Sequence, residues 1–468
     1  MWALFLAIEA AWVLAIGTVI ILQRRSAAAT LAWVFALAWL PVVGFVVYWL
    51  IGPLRLERKK LKRNISRRAV REVLQAQAAL VDTSEEHQQL SRVAVELGES
   101  SPLRADEVEL YFDGASAYAA ILTAIAAAKR HIHVEYYIWE PDQIGVQLRD
   151  ALIERAKAGV SVRLVVDATG SNGLTKKFLA PLREAGIQFA WFNPVRLRSI
   201  RSRRADFRTH RKIVVVDGVI GFTGGMNITD SHSALLSKAY WRDTHMRITG
   251  AAVWPLQRLF MEDWYFAAEQ LCPINEDTYP APTRDGTHLV QIVGSGPDSA
   301  AFAIHKVLFT AINQCTDRLW MTTPYFVPDE TLLMAITSAA LRDVDVRLIV
   351  PKRGDSRLVD MAARSYFPEL LEAGVRIYEY EPRFIHAKTL VCDDDVAIIG
   401  TANLDNRSFR LNFEVAAVVF GHACNAKLAD AFTTDLRESR EVIRSELDRQ
   451  PFKTRLGQAY ARLISPLL

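Results

Sequence analysis

The sequence contains little cysteine and little excess charge. Its four cysteines are widely scattered among 468 residues, with no Cys-x-x-Cys pair and no histidine nearby at metal-binding spacing (Cys272, Cys315, Cys392 and Cys424). This pattern argues against a disulfide framework or a structural zinc site, and it indicates reduced, mostly buried thiols in a cytoplasmic domain. The 56 basic and 52 acidic residues leave a formal net charge of +4, which is too small to indicate a general nucleic-acid-binding protein.

Two long apolar runs lie at the N-terminus. Residues 2–22 contain one charged residue, Glu9, and residues 27–51 contain none. Each run reaches the ~20 residues that a helix needs to cross a bilayer, and the absence of a basic start argues against a cleaved signal peptide. We therefore expect two transmembrane helices that form a membrane anchor over residues 1–52.

A strongly basic segment follows the second apolar run. Its only acidic residue up to position 71 is Glu57, whereas its basic residues are Arg55, Arg58, Lys59, Lys60, Lys62, Arg63, Arg67, Arg68 and Arg71. Because basic loops stay on the cytoplasmic side, the downstream chain is expected in the cytoplasm. Residues 53–105 are interpreted as a juxtamembrane linker, which either forms an interfacial helix that binds anionic lipid or acts only as a topology signal.

One string of residues occurs twice, 176 residues apart. In the first half it consists of His210, Lys212, Asp217, Gly224, Gly225 and Asn227; in the second it consists of His386, Lys388, Asp393, Gly400, Thr401 and Asn403. Every spacing is the same in both halves. A single His-x-Lys arises by chance, but a match at six positions made twice indicates a duplicated active site.

The sequence around these strings repeats as well. Strand-like residues 162–166 and 346–350 each follow a helical stretch, and each half continues with Glu-Ala-Gly and another strand. Strands that alternate with helix-length patterns are typical of layered α/β domains. We assign the first domain to residues 106–271, a connector to 272–288 and the second domain to 289–468.

An insertion distinguishes the first half. Pro194 lies 16 residues before His210, whereas the aligned Pro382 lies only four residues before His386. The additional residues include Arg196, Arg198, Arg201, Arg203 and Arg204. We interpret this basic loop as steering anionic head groups toward the first histidine, with an ordinary solvated loop as the alternative.

The repeated residues suit chemistry at a phosphate diester. Apolar residues flank Asp217-Gly218, which predicts a hairpin, and each histidine can reach one cleft together with its lysine because residues two apart on a strand share a face. One neutral imidazole can attack phosphorus while a protonated one donates to the leaving oxygen. Lysine and asparagine side chains can hold the non-bridging oxygens. Asp217 and Asp393 lie at turns and are interpreted mainly as structural members of the motif.

Each imidazole also needs a partner that fixes its tautomer. Asp243 and Glu414 follow the two motifs at similar distances and are assigned as the histidine-orienting residues. The scheme requires no metal and no other cofactor. His131, His133 and Glu135 alternate along a strand, but we interpret them as strand residues, with Glu135 near the cleft wall, and not as metal ligands.

These motifs resemble those of the phospholipase D superfamily, and in particular those of bacterial cardiolipin synthases. The resemblance lies in YYIWEPD, HRKIVVVDG, GFTGGMN, WRDTH, TTPYFVPD, HAKTLVCDD and IGTANLDNRSFRLNFE, together with the apolar N-terminus. It implies two phospholipase D-like α/β/α repeats packed about a pseudo-two-fold axis and preceded by two transmembrane helices. It also implies a multi-pass protein of the bacterial cytoplasmic (inner) membrane, with its catalytic part facing the cytoplasm.

The resemblance further implies the reaction and its partners. Two phosphatidylglycerol molecules would give cardiolipin and glycerol through a phosphohistidine. His210 is the expected nucleophile and His386 the expected acid and base, although the symmetry of the motifs leaves these roles exchangeable. The implied catalytic set is completed by Lys212, Asp217, Lys388 and Asp393, with Asn227 and Asn403 binding phosphate. The expected partners are these lipids and a membrane, and a homo-oligomer is left open.

Three alternatives are left. A lipid hydrolase, or a transferase that uses another alcohol such as serine or ethanolamine, would need the same motifs. A nuclease of the superfamily is disfavoured by the apolar N-terminus and the small net charge. A non-catalytic membrane scaffold that binds anionic lipid is disfavoured because both His-Lys pairs and both asparagines are present.

The C-terminal segment has an amphipathic pattern. Apolar residues recur at helical spacing and alternate with basic ones: Phe452, Leu456, Tyr460, Leu463 and Ile464 with Lys453, Arg455 and Arg462. This pattern predicts a helix that either seeks a membrane surface or packs against the catalytic core.

Overall fold

The computed structural model of the protein describes residues 2–22, 27–40, 42–45, 48, 85–194, 207–281, 286–298 and 301–465. The chain divides into two compact units, and the described residues from 85 onward all belong to the larger one. The expected arginine-rich loop before His210 and the basic segment after the second apolar run lie outside the described residues. Their proposed roles therefore stay predictions.

The smaller unit contains the two N-terminal helices, α1 (Trp2–Leu22) and α2 (Ala27–Trp39). Ile20, Leu37 and Tyr48 form a small apolar cluster within this unit. No helix within the described ranges combines the length and the hydropathy that a membrane crossing requires. The prediction of two transmembrane helices is thus not confirmed.

Strands and helices alternate through the first half of the larger unit. In chain order the elements are α3 (Glu85–Glu96), β1 (Leu103–Ala105), β2 (Val108–Tyr111), α4 (Gly114–Ala127), β3 (His131–Tyr136), α5 (Gln143–Lys157), β4 (Ser161–Asp167), α6 (Lys176–Glu184), β5 (Gln188–Phe192), β6 (Arg208–Thr209), β7 (Ile213–Val216), β8 (Ile220–Gly224), a 3-10 turn (Asp230–His232), β9 (His245–Thr249), a second 3-10 turn (Ala251–Val253) and α7 (Trp254–Ala268).

The second half repeats this alternation. Its elements are β10 (His288–Ser295), α8 (Ala303–Gln314), β11 (Arg318–Thr322), β12 (Phe326–Val327), α9 (Glu330–Leu341), β13 (Asp345–Pro351), α10 (Arg357–Arg364), α11 (Phe367–Glu372), β14 (Arg376–Tyr380), β15 (Thr389–Cys392), β16 (Val396–Gly400), β17 (Leu404–Asp405), α12 (Asn406–Arg410), β18 (Asn412–Phe420), α13 (His422–Arg437), β19 (Ser439–Glu441), α14 (Arg444–Asp448) and α15 (Phe452–Leu463).

The two halves share an order of seven strands. The first sheet runs β2-β9-β8-β7-β3-β4-β5, and the second runs β1-β10-β18-β16-β15-β11-β13-β14-β19, with β1 and β19 added at its edges and β6 paired with β18. In each, three strands are parallel, namely β3-β4-β5 and β11-β13-β14, and a hairpin pairs antiparallel with the first of them. The short contact between β12 and β17 has its counterpart in the bridge from Trp139 to Ile228. The predicted pair of α/β repeats is therefore confirmed.

Helices cover both faces of the first sheet, as strand β3 illustrates. Ile132 and Val134 face the apolar core that also contains residues of α4 and α5. On the opposite face, the ring of His133 stacks on Phe260 of α7 at 4.4 Å. Since successive side chains of a strand point to opposite faces, β3 contributes to both layers. His131 and His133 accordingly lie in the layer beneath α7, as the interpretation as strand residues requires.

Two elements of the expected 53–105 linker belong instead to the fold of the second half. Strand β1 pairs antiparallel with β10, so that Leu103 lies opposite Val290. Leu90 and Ala94 of α3 are buried in the apolar core of the second half. The three residues of β1 carry too short a pattern to identify this packing from the sequence, and residues 85–105 are part of the fold of the second half.

The aspartates of the two repeated strings stabilise strand starts. Asp217 has a left-handed backbone conformation, with φ of 52°, at the predicted turn between β7 and β8. Its carboxylate accepts three backbone N–H groups at 2.7–2.9 Å where β3 begins: Lys129, Arg130 and His131. Asp393 does the same where β11 begins, accepting from Thr316, Asp317 and Arg318. Both aspartates thus hold the sheet together at the turn.

Replacing Asp217 tests this structural role. Asp217→Ala leaves three backbone donors without their acceptor, and we expect it to lower the free energy of unfolding by about 1–3 kcal/mol. Thermal unfolding of the detergent-solubilised protein, followed by circular dichroism, measures the change. Glu154→Ala on the exposed face of α5 serves as the control and should change stability by less than ~0.5 kcal/mol. Equal stability of both variants would contradict the assignment.

Candidate active site

The two repeated strings open onto one pocket. The cavity has a volume of about 300 Å³ and is lined by His210 and Asn227 from the first half and by His386 and Asn403 from the second. Both histidines and both asparagines are buried. The structure therefore brings the four side chains together from sequence positions 176 residues apart.

Each lysine of the strings lies beside its own histidine. Lys212 Nζ donates to the carbonyl oxygen of His210 at 2.8 Å, and Lys388 Nζ donates to the carbonyl oxygen of His386. Both ammonium groups are buried, and that of Lys212 lies 5.5 Å from the ring centre of Tyr137, which lines the pocket. Each lysine thus lies next to its own histidine, but neither lysine is among the residues that line the cavity.

The histidines and their carboxylate partners are exchanged between the halves. His210 Nδ1 lies 2.9 Å from Glu414 Oε2, and His386 Nδ1 lies 2.7 Å from Asp243 Oδ2. Each histidine of one half is thus held by a carboxylate of the other. A ring Nδ1–H that donates to a carboxylate leaves Nε2 as the free nitrogen. Each half therefore depends on the other for the carboxylate that orients its motif histidine.

Backbone pairing explains this exchange. The N–H of His210 donates to the carbonyl of Phe413 at 2.8 Å, and β6 pairs parallel with β18 just before it. The N–H of His386 donates to the carbonyl of Arg242 at 2.7 Å. Since Phe413 and Arg242 directly precede the two carboxylates, the same contacts that join the halves also bring each carboxylate to the opposite histidine.

One difference between the two strings fits their different carboxylates. A Cβ added to Gly225 would lie 2.1 Å from Asp243 Oδ1, so only glycine leaves room for this short side chain. At the corresponding position of the second half, the hydroxyl of Thr401 donates to Glu414 at 2.5 Å. Asn412 Nδ2 donates to the other oxygen of Glu414 at 3.1 Å. The longer glutamate is therefore fixed by three partners.

Burial keeps both imidazoles neutral. It lowers the pKa of His210 to about 4, against the opposing effect of Glu414. Burial, together with Lys388 and Lys212, lowers the pKa of His386 well below its ordinary value. Burial alone would raise the pKa of Glu414, but His210 and Lys212 outweigh it and lower the pKa. Without a ligand, each histidine is thus a neutral base whose Nδ1 faces a carboxylate.

The lysines are perturbed in the same direction. Burial lowers the pKa of Lys212 to about 7 and that of Lys388 to about 8, although Glu414 and Asp243 oppose the change. Because an added anion favours the charged form of a nearby amine, a phosphate bound in this pocket would restore the full charge of both lysines. The site is therefore electrostatically incomplete without an anion.

Several pocket residues lie outside the residue set expected from the sequence. Tyr137, Trp241, Arg407 and Asn412 line the cavity, and each falls within or beside a motif that carries the family resemblance. The ring centres of Tyr137 and His210 lie 5.0 Å apart, and those of Trp241 and His386 lie 5.4 Å apart. Arg407 adds a positively charged side chain to the pocket lining.

His232 is a further buried histidine at this site. Its Nδ1 lies 3.6 Å from Asp243 Oδ2, and its ring contacts that of His386 at 5.5 Å. Among the described residues, His232, Asp243 and His386 are the one group of three or more such side chains whose ligand atoms all lie within 4.8 Å of one another, as a metal ion would need. The expected absence of a metal stays a prediction.

Other expected residues lie away from the pocket lining. Asp217 and Asp393 lie at the hairpin turns described above. Glu135, expected near the cleft wall, accepts a hydrogen bond from Thr209 Oγ1 at 2.5 Å and so contacts the residue before His210. His133 Nδ1 lies 2.8 Å from Gln257 Nε2. These side chains support the strands that carry the site.

A duplicated α/β fold that brings two His-x-Lys motifs into one pocket defines an enzyme of the phospholipase D superfamily. Residues 121–252 and 308–436 match the family described as "Cardiolipin synthase, PLD-like domain", and the chain belongs to this family. Residues 10–53 match a second family, described as "Phospholipase_D-nuclease N-terminal".

Curated relatives extend over almost the whole chain. It is 40% identical to a cardiolipin synthase of Alkalihalophilus pseudofirmus, covering 97% of this chain and 92% of the relative. It is 39% identical to a cardiolipin synthase of Geobacillus kaustophilus, covering 99% of this chain and 94% of the relative. These matches confirm the resemblance drawn from the sequence motifs.

A solved structure supports the fold. The chain is similar to the phosphatidylserine synthase of Haemophilus influenzae, with a TM-score of 0.61 and 15% sequence identity. The similarity covers 81% of this chain and 100% of that chain. At this identity the comparison establishes the shared fold alone.

The crossed pairing can be tested by double-mutant cycles on stability. His210→Ala combined with Glu414→Gln should show a coupling energy of about 1–3 kcal/mol, since the two side chains share a buried hydrogen bond. The cycle of His210→Ala with Asp243→Asn, whose members belong to the same half, should show less than ~0.5 kcal/mol. Chemical denaturation in detergent provides the four free energies. Stronger coupling within one half than across the halves would refute the exchange.

Proposed function

We propose that this protein is a membrane-bound phosphatidyltransferase that makes cardiolipin and glycerol from two phosphatidylglycerol molecules. The observation that carries the proposal is the pair of buried histidines on one pocket, each with its own carboxylate from the opposite half. Such a pair can divide a transfer at phosphorus into two displacements. The cardiolipin synthase name of the relatives supports the choice of substrate.

In the first displacement, Nε2 of His210 attacks the phosphorus of one phosphatidylglycerol. The bond from phosphorus to the head-group glycerol oxygen breaks, and protonated His386 gives that oxygen its proton. The products of this step are glycerol and a phosphatidyl group bound to His210. The Glu414 carboxylate, which accepts from Nδ1 of His210, stabilises the positive charge that develops on the attacking ring.

In the second displacement, a second phosphatidylglycerol enters. Its terminal hydroxyl loses a proton to His386 and attacks the same phosphorus, the bond to His210 breaks, and cardiolipin is formed. His386 thus regains the proton that it gave to glycerol in the first displacement. Asp243 fixes the orientation of the His386 ring throughout, because it accepts from Nδ1.

Positive and amide groups would hold the phosphate in both steps. Lys212 and Lys388 lie behind the two histidines, while Arg407 lines the cavity. The carboxamide oxygens of Asn227 and Asn403 are buried without a hydrogen-bond partner among the described residues. Each amide also carries two N–H groups, of which Asn403 donates one to Asp405 at 3.0 Å. The remaining N–H groups are suited to the non-bridging oxygens of a phosphate.

Attachment at a membrane would favour transfer over hydrolysis. The apolar N-terminal residues and the basic segment that follows them support a multi-pass position in the bacterial cytoplasmic membrane, with the pocket on the cytoplasmic side. There the acceptor lipid is concentrated beside the pocket. The aromatic rings of Tyr137 and Trp241 next to the histidines reduce access of water.

The reaction is tested with purified full-length protein and labelled phosphatidylglycerol in mixed micelles. We expect cardiolipin and glycerol in equal amounts, with activity lost in both His210→Ala and His386→Ala. His422→Gln, at an exposed site on α13, is the matched control and should keep full activity. Phosphatidic acid as the sole lipid product would identify a hydrolase, and a new phospholipid on addition of serine or ethanolamine would identify another acceptor.

The roles of the two histidines can be separated with a p-nitrophenyl ester of phosphatidic acid. Because p-nitrophenolate leaves without a proton, His386→Ala should still give a burst of one equivalent, whereas His210→Ala should give none. A burst in His210→Ala and none in His386→Ala would reverse the assigned roles.

The pH dependence follows from the pKa shifts. His386 and both lysines act in their protonated forms and their pKa values are lowered, so the active forms are lost as pH rises. His210 acts in its neutral form, which is lost only as the pH falls toward its pKa of about 4. We expect kcat/KM in zwitterionic micelles to fall at least ~10-fold between pH 6 and 9.

The kcat profile should lie at higher pH than the kcat/KM profile. A bound phosphodiester adds negative charge beside these groups and raises their pKa values in the complex. Stopped assays across the pH range at constant ionic strength give both parameters. A kcat/KM that rises between pH 6 and 8 would be incompatible with this charge assignment.

A further inference from the structure

The C-terminal helix α15 packs against the second half through its smallest residues. Ala461 is buried, and a Cβ added to Gly457 would lie 2.7 Å from Met361 Cε on α10. The guanidinium of Arg462 lies over the ring of Tyr366 at 4.4 Å and pairs with Glu369 at 3.2 Å. These contacts fix one face of the helix against α10 and α11.

The opposite face of α15 is apolar and exposed. Phe452, Leu456, Tyr460 and Leu463 follow each other at intervals of four, four and three residues, which places them on one stripe. Their exposed fractions are 74%, 42%, 64% and 73%. An amphipathic helix of a soluble domain normally buries its apolar stripe, so this orientation is the reverse of the usual one.

The charge around the stripe is positive. Lys453 and Arg455 flank it, and the helix contains no acidic residue. A second copy of the chain placed face to face by a two-fold axis would bring these cations next to each other. An anionic lipid surface, in contrast, satisfies both the apolar stripe and its positive flanks.

The helix lies directly behind a wall of the pocket. α15 packs against α10, and Val359 of α10 lines the cavity together with Asp355. Whatever surface receives the apolar stripe therefore lies one helix away from the two histidines.

We propose that α15 is an interfacial helix, which inserts its apolar stripe into an anionic bilayer and holds the α10 side of the pocket at the lipid surface. The proposal rests on the proposed function for the identity of the substrate, since a lipid substrate must pass from that surface to the histidines. It adds a membrane contact in the second half to any attachment at the N-terminus.

Insertion is measured without reference to catalysis. A nitroxide on Leu456→Cys in the full-length protein, in nanodiscs that contain phosphatidylglycerol, should collide with oxygen and be protected from a water-soluble nickel chelate. A nitroxide on Glu154→Cys of α5 is the control and should show the reverse. The four native cysteines are buried and should remain unlabelled. Full access of the nickel chelate to the Leu456→Cys label would overturn the proposal.

Activity supplies the second readout. A variant with Phe452→Ser, Leu456→Ser, Tyr460→Ser and Leu463→Ser should lose about 10-fold in rate on long-chain phosphatidylglycerol in vesicles. Its rate on dispersed short-chain phosphatidylglycerol should stay within ~2-fold, because the pocket itself is unchanged. The apolar control, Phe452→Leu with Tyr460→Phe, should keep the vesicle rate.

The remaining outcomes are distinct. Equal loss on both substrates would make α15 only a structural helix, and no loss on vesicles would make it irrelevant to the lipid; each contradicts the proposal. A dimer in detergent that the four serines dissociate, measured by light scattering, would mean that a second copy covers the stripe. Lipid insertion of the Leu456→Cys label without cardiolipin formation by the unmodified chain would instead disprove the proposed reaction alone.

Discussion

The site depends on two hydrogen bonds that cross between the halves of the protein. His210 is held by Glu414 and His386 by Asp243, and the backbone of each histidine is paired with the residue before the opposite carboxylate. A buried carboxylate needs a hydrogen-bond partner to offset the cost of its burial, and a buried imidazole needs a hydrogen-bond partner to fix its orientation. Both requirements are met together when the halves dock, so assembly of the fold and assembly of the site are the same event.

The electrostatics of the pocket follow from this arrangement. Two carboxylates hold two neutral imidazoles, while burial depresses the pKa of both lysines. The resting site lacks a negative charge that would stabilise its cations. A bound phosphodiester supplies that charge and raises the pKa of His386. His386 can then retain the proton that the leaving oxygen needs. Binding and activation of the catalytic groups are thus coupled through the charge of the ligand.

Much of the fold could be predicted because it is encoded locally. The equal spacing of the two strings indicated the duplication. The Asp217-Gly218 pair predicted a turn, and both residues have the left-handed backbone conformation that such a turn requires. The exchange of the carboxylates between the halves could not be predicted. Asp243 and Glu414 would occupy the same sequence positions whether each paired with the histidine of its own half or with that of the other half, and only pairing between distant strands determines which histidine each one contacts. The same applies to β1, whose three residues carry too little pattern to identify their partner in the second half.

Strand β1 and helix α3 also affect the order in which the chain can fold during synthesis. Gln291 Nε2 donates to the carbonyl of Ser91, 200 residues earlier. At typical ribosomal speeds, residues 85–105 emerge roughly 10–40 s before β10. The first sheet can form within this interval, but β1 stays unpaired until β10 has been synthesised. Its short length limits the opportunity for wrong pairing while the nascent chain is incomplete.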